Sequence, residues 1–394
     1  MTPSKLILVI KLTAIVLLLS LAGCQSTSSD KPVYAGPVLP DNYDFKFGDK
    51  DMAAAMHAVY LHRTDELEQL LKAKKFYWYI NFGHLESAPL LSHLAIISSC
   101  YDCIDVFAKV GFDLNKRDKY GRTPLIYAAL SSKPKFIPLL AAHSDIDARL
   151  DEKTGFTALH MATNKNFPAT IKALVEQGAD IEARDVNQWT ALHHAVQMGF
   201  VKSSKILLEL GANPNALSVS HWTTLHQTGN RINTADEANI AAITKLLLDA
   251  GVNIDVQSDK GITALQLSIW QRRDSVTELL LAQNSDIHVV DNEGWSALSY
   301  AVDKGDIKTA KVLLDAGVDP QPRSSTGWTP LMFLANDNYQ HDELIIEFAE
   351  LLIEHGASVF NINNGGKSIA DLAKENNKTA LLKLLEYHGA KTTD

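Results

Sequence analysis

Long runs of a single charge are missing from this chain. It carries 37 lysines and arginines against 46 acidic residues, a formal net charge of −9, and no basic block. A sequence-independent nucleic-acid binder needs a basic footprint, so that class is excluded. Catalytic signatures are missing too. There is no G-x-S-x-G, no H-E-x-x-H and no paired C-x-x-C zinc pattern, so nothing asks for an enzyme or for a metal. Only three cysteines occur in 394 residues. The N-terminal apolar run from Leu6 to Leu21 is broken by Lys11 and is too short for a stable spanning helix.

What the chain has is repetition. Thr190-Ala191-Leu192-His193-His194-Ala195 recurs as Thr157-Ala158-Leu159-His160-Met161-Ala162 and as Thr223-Thr224-Leu225-His226. Looser copies begin at Thr123, Thr263, Ser296, Thr329 and Ser368. The spacing is 33 residues from 157 to 190 to 223, and again from 263 to 296 to 329. A second landmark keeps the same register. Most units close on a leucine-rich run followed by glycine, at Gly178, Gly211, Gly251, Gly317, Gly356 and Gly389.

A T-P-L-H-x-A pattern on this period resembles the ankyrin repeat. The resemblance implies an all-α solenoid of about ten helix pairs joined by short β-hairpin loops, spanning residues 51–394. Unit starts fall near 52, 88, 123, 157, 190, 223, 263, 296, 329 and 368, with atypical capping units at both ends. The aromatic run Phe76-Tyr77-Trp78-Tyr79 follows the first unit and is expected either to cover the open end of the stack or to form an exposed patch.

Each motif residue has a structural role. Threonine caps the first helix of the pair. Pro124 and Pro330 occupy the first helical position, where a missing donor costs nothing. Leucine enters the core, and His160, His193 and His226 bond backbone groups of neighbouring loops. Helices stand about 8–10 Å apart while zinc–nitrogen bonds need about 2.0–2.1 Å, so one histidine per unit makes no metal array. The closing glycine takes the left-handed conformation that ends the second helix. His143 and Asn284 stand in its place in two units, and the unit ending at His143 is expected to be the weaker joint. In the hairpins, glycine precedes the motif at Gly121, Gly155, Gly261, Gly294 and Gly327, while Gln188 and His221 replace it in adjacent units. Those two turns are either strained or of another type. Gly365-Gly366-Lys367-Ser368 imitates the tail of a phosphate-binding loop, but Asn361 stands where that loop needs glycine.

Two units run long, from Thr223 to Gly251 and from Thr329 to Gly356. The extra residues, about 228–237 and 336–342, belong between the paired helices, as neutral decoration or as functional loops.

The start of the chain is set apart from the repeats. The apolar run after Lys5 reads as a secretory signal, and Leu21-Ala22-Gly23-Cys24 resembles the bacterial lipobox. The resemblance implies a signal peptide over residues 1–23, an acylated Cys24, and a flexible tether over 24–50, rich in serine, proline and glycine. Gln25 after the cysteine resembles lipoproteins sent to the outer membrane, implying a protein lipid-anchored in the bacterial envelope and facing the periplasm.

Two sets of residues remain as candidates. An aromatic residue stands just before the motif at Phe156, Trp189, Trp222, Trp295 and Trp328, with Arg122 and Ile262 breaking the series. Stacking places these along one edge near the hairpin tips. In ankyrin-repeat proteins the tips and inner helices form the concave binding surface. The five residues therefore either bind a partner or pack on the neighbouring hairpin. Cys100 and Cys103 form a C-x-x-C near a turn, open to three readings: inert thiols, a structural disulfide, or redox activity. The expectation is a non-enzymatic scaffold that binds another protein and the membrane, with no cofactor, no metal and no small-molecule substrate. The alternatives are an envelope redox protein using Cys100 and Cys103, or a structural stabiliser of an envelope assembly.

Overall fold

In the computed structural model the 33-residue period resolves into helix pairs. The structure describes residues 49–73, 88–118, 120–230, 236–335 and 342–392, and among them lie twenty helices and no extended strand. Residues 1–23 read as a signal segment, Cys24, most of the expected tether over 24–50 and the aromatic run at 76–79 fall outside the described residues.

The inner helix of each pair comes first. These are α1 (Asp49–Tyr60), α3 (Ala88–Ser98), α5 (Pro124–Leu130), α7 (Ala158–Asn164) and α9 (Ala191–Gln197). They continue as α11 (Thr224–Gly229), α13 (Ala264–Trp270), α15 (Ala297–Asp303), α17 (Pro330–Phe333) and α19 (Ile369–Glu375). The outer partners are α2 (Thr64–Lys72), α4 (Asp102–Lys109), α6 (Phe136–Ala141), α8 (Pro168–Glu176) and α10 (Val201–Glu209). The rest are α12 (Glu237–Asp249), α14 (Asp274–Ala282), α16 (Ile307–Asp315), α18 (Asp342–Glu354) and α20 (Thr379–Tyr387).

Helices this short do not persist alone in water, so packing must hold them. From α3 onward each inner helix lies against the next inner helix, and outer helices from α4 also pack on their neighbours, except that α14 and α16 touch little. The motif leucines Leu125, Leu159, Leu192, Leu225, Leu265, Leu298 and Leu331 are all buried in this seam. Each contributes about 1.5–3 kcal/mol relative to exposure. The outer helices answer with Ile171 and Leu174, Ile243 and Leu247, Val276 and Leu280, Phe348 and Leu352.

Capping follows the motif. Thr157, Thr190 and Thr223 each pair with the histidine three residues on, Thr263 with Gln266, Ser296 with Ser299, and Ser368 with Asp371. Two caps lack the reciprocal pair: Thr123, whose hydroxyl still accepts from the Ile126 N–H at 3.3 Å, and Thr329. Met332 stands at the reciprocating position and cannot accept, the Thr329 hydroxyl is buried without a partner, and α17 runs only four residues. Ser368 being a helix cap, and Lys367 pairing with Glu375 at 2.6 Å, give the Gly-Gly-Lys-Ser segment a purely structural account.

Two expectations about backbone resolve. Gln188 and His221 keep the turn their glycine counterparts make: Gln188 N–H donates to Asp185 and His221 N–H to Ser218, as Gly294 does to Asp291. Both sit at left-handed φ, 61° and 54°, so the turn type is kept and the strain accepted. At the closing position Asn284 adopts φ 56°, but His143 does not take the left-handed conformation at all. That helix ends instead with the Ser144 hydroxyl donating to the Leu140 carbonyl at 2.6 Å.

The long units place their extra residues between the paired helices, and part of the excess extends the outer helix. Both α12 and α18 have 13 residues, where α8, α10, α14 and α16 have 9. Residues 231–235 and 336–341 of the insertions lie outside the described residues.

Candidate binding surface

The hairpins are built on a side chain that imitates backbone. Asp185 Oδ1 accepts from the N–H groups of Asn187 and Trp189, both at 2.8 Å, and Asp291 Oδ1 accepts from Glu293 and Trp295 at 2.9 and 2.8 Å. Ser218, Ser258 and Ser324 do a single-bonded version of the same. Each turn is then tied to the next by one backbone hydrogen bond. Val186 donates to Thr154, Val219 to Asn187, Asp259 to Ser220, Asn292 to Lys260, Ser325 to Glu293 and Asn364 to Thr326. The row of tips is thus fixed before any partner arrives, which lowers the ordering cost of binding.

Phe156, Trp189, Trp222, Trp295 and Trp328 stand on these turns, and all five are half-buried. One face of each ring is committed to packing. Phe156, Trp189 and Trp222 stack on His160, His193 and His226 of their own units, at centroid separations of 5.7, 6.2 and 6.0 Å. Trp295 lies 4.6 Å from Phe333 and 5.2 Å from Tyr300, and Trp328 stacks on Phe333. The rings therefore pack on their neighbours and remain partly exposed.

The motif histidines work as connectors. Nδ1 of each accepts from the backbone N–H of its capping threonine, and Nε2–H donates to a carbonyl one unit ahead: Trp189, Trp222 and Ile262 respectively. Burial lowers the pKa of all three to about 4, so they are neutral near pH 7. Both ring nitrogens are occupied, and no cluster able to hold a metal occurs among the described residues.

A second aromatic column was missed from sequence. It falls four residues after four of the eight caps, at Tyr127, His194, Tyr300 and Phe333, while Met161, Gln227, Leu267 and Leu372 hold that place in the other units. His194 Nε2 lies 3.1 Å from Asp185 Oδ2, and the Tyr300 hydroxyl donates to Asp291 Oδ2 at 2.6 Å. Burial would raise the Asp185 pKa, but the His194 bond and the Trp189 N–H outweigh it and hold it below the usual carboxylate range. Burial, reinforced by Asp291, pushes the Tyr300 phenol well above its ordinary value, so it stays neutral and donates. Aligning the units on their caps would have revealed this column.

Between the hairpins of the sixth, seventh and eighth units lies a cavity of about 660 Å³. Trp222, Trp270, Trp295 and Tyr300 wall it, and Asp259, Asp291, Glu293 and Asp303 stand around it with Lys260. Trp270, at the end of α13, is 41% exposed and so has free indole surface.

Cys100 and Cys103 are joined as a disulfide across the turn between α3 and α4, and both are buried, at 2% and 0% exposure. Thiol exchange needs an accessible sulfur, so this geometry favours a structural staple over a redox centre. Among the described residues no helix is long and apolar enough to cross a membrane.

Comparison with known proteins agrees with the stacked pairs and their hairpins. Models of ankyrin repeats match residues 92–141, 139–218, 233–324 and 326–364, well over half the chain. The chain is an ankyrin-repeat protein. It is similar to the nuclear factor NF-kappa-B p105 subunit of Gallus gallus, 28% identical over 140 residues, covering 34% of this chain and 14% of the relative. It is also similar to NF-kappa-B inhibitor alpha of Mus musculus, 28% identical over 146 residues, covering 34% of this chain and 45% of the relative. The chain thus spans less than half the length of these curated relatives. Among solved structures, the human ASB11 ankyrin repeat domain is 26% identical with a TM-score of 0.47, covering 58% of this chain and 97% of that one.

Proposed function

We propose that this protein is a non-enzymatic scaffold that binds another protein on the face formed by its inner helices and hairpin tips. The carrying observation is the tied row of turns bearing Phe156, Trp189, Trp222, Trp295 and Trp328, each ring packed on a neighbour yet only half-buried. Anchored aromatics lose little freedom on binding and serve as hot spots. A relative named for inhibiting another factor supports a binding role for such repeats.

The proposal extends to place. Acylation of Cys24 would hold the scaffold at the bacterial outer membrane, facing the periplasm, through residues 24–50. The Leu21-Ala22-Gly23-Cys24 sequence supports this, and so does the Cys100–Cys103 disulfide, since such bonds persist in oxidising compartments.

Affinity capture from crosslinked envelopes tests the binding, with one specific protein expected to co-purify at wild type. Recovery of none counts against the scaffold. Metabolic labelling with an alkyne-palmitate tests the anchor. Label is expected on the wild-type chain and absent from Cys24→Ala, and an unlabelled wild type removes the membrane tether from the proposal.

A further inference from the structure

The 660 Å³ cavity lies where the aromatic series is interrupted. Four neighbouring units carry Trp189, Trp222, Trp295 and Trp328 before their caps, and the unit between Trp222 and Trp295 carries Ile262 instead. A branched aliphatic chain replaces a bicyclic ring, and the space it leaves is flanked by the indoles on either side.

The walls and rim have a definite chemistry. Trp270 and Tyr300 lie 6.2 Å apart by centroid, and Trp295 lies 5.2 Å from Tyr300, so aromatic faces enclose the space from two units. Asp291 is engaged internally, by two backbone N–H groups and the Tyr300 hydroxyl. Asp303 pairs with Lys304 at 2.9 Å, and Asp259 faces His221. Glu293 stands exposed at the turn and makes no ion pair among the described residues. Four carboxylates thus surround the cavity against the single ammonium of Lys260.

Resting on the scaffold reading above, we infer that this notch is the specificity pocket of the binding face, and that it receives an arginine side chain from a basic segment of the partner protein. Aromatic faces attract a cation through the ring quadrupole. A guanidinium can lie flat on an indole while its fork reaches carboxylates, which an ammonium does less well. The acidic chain, at net charge −9, would steer a basic segment inward.

The test uses the full chain and peptides of one length that differ at a central arginine, lysine or citrulline. Indole N–H resonances of Trp222, Trp270 and Trp295 are followed by NMR. The arginine peptide is expected to shift them and to bind more tightly than the lysine peptide, and the neutral citrulline peptide should leave them in place. Two variants complete the test. Ile262→Trp restores the ring that neighbouring units already accommodate, so it should fold, fill the notch and weaken arginine binding at least about tenfold. Glu293→Gln on the exposed turn should weaken it less while leaving the melting temperature unchanged. Equal shifts by the citrulline peptide, stronger binding of lysine, or unaltered binding by Ile262→Trp would each overturn the assignment. Should Ile262→Trp still capture the envelope partner normally, the notch inference fails while the scaffold reading stands.

Discussion

His160 and Trp189 are 29 residues apart and joined by a single hydrogen bond, from imidazole Nε2–H to a main-chain carbonyl at 3.2 Å. The same ring accepts from the Thr157 N–H through Nδ1. One neutral tautomer therefore closes its own helix cap and holds the next hairpin, and His193 and His226 repeat the arrangement.

A proton on Nδ1 would turn that acceptor into a donor facing an N–H group. With folded pKa values lowered from 6.5 to about 4, the unfolded chain binds more protons than the folded one between those limits. The three histidines' contribution is fully present above pH 6.5 and is lost as pH falls towards 4. At most the loss is about 4 kcal/mol per pH unit, three groups at roughly 1.4 each. Gln266 shows how to remove the effect. It accepts from Thr263 N–H and donates to the Val289 and Trp295 carbonyls without titrating. Urea midpoints at pH 7 and pH 5 should fall steeply for the wild type, and much less for the triple variant His160→Gln, His193→Gln, His226→Gln.

The strained hairpins make a second prediction. Gln188 and His221 hold left-handed φ that glycine adopts freely. Gln188→Gly should stabilise by about 1 kcal/mol, the relief of strain exceeding the added freedom of the unfolded chain. The opposite change is costly. A Cβ at Gly294 would sit 2.7 Å from the Arg323 carbonyl oxygen in the adjoining turn, so Gly294→Ala should destabilise by more than the Gln188 change gains. Denaturant midpoints at constant slope read both effects.

Repetition made the fold legible. The caps, the buried leucines and the closing glycines recur on a fixed period, and each has one local job that the residue type reveals. The binding face was only partly legible. Trp189 or Trp295 could be flagged by position, but whether such rings pack or protrude depends on residues elsewhere in the stack, and they do both. Tyr300 could be found by aligning the units on their caps, but Trp270 recurs at no such position, and only the stacking of the seventh and eighth units brings the two together with Ile262. The choice between strain and another turn type at Gln188 likewise needed the bond to Asp185.

Helix ends offer a contrast between two superficially equal sites. Asn284 occupies the left-handed position that glycine fills elsewhere, and His143 does not. Asn284→Gly should therefore raise stability by up to about 1 kcal/mol, while His143→Gly should gain nothing and loosen the chain around α6. Hydrogen exchange reports the second effect directly. Amides from Phe136 to Ser144 should exchange faster than those of α8 at wild type, because α6 has six residues and ends on the Ser144 hydroxyl instead of a left-handed cap.

The Cys100–Cys103 bridge closes a very short loop between α3 and α4, next to the stacked rings of Tyr101 and Phe136. Loop-closure entropy for so few residues is small, giving about 2 kcal/mol of stabilisation. In a solenoid that energy is local, because each unit leans only on its neighbours. Reductant should therefore speed exchange within residues 91–110 and lower the first part of the unfolding transition, leaving α12 to α20 unaffected. The variant Cys100→Ala with Cys103→Ala should start from the lowered midpoint and show no response to reductant. A wild type equally indifferent to reductant would mean the thiols are unpaired in solution, which would also remove the disulfide as support for an exported chain.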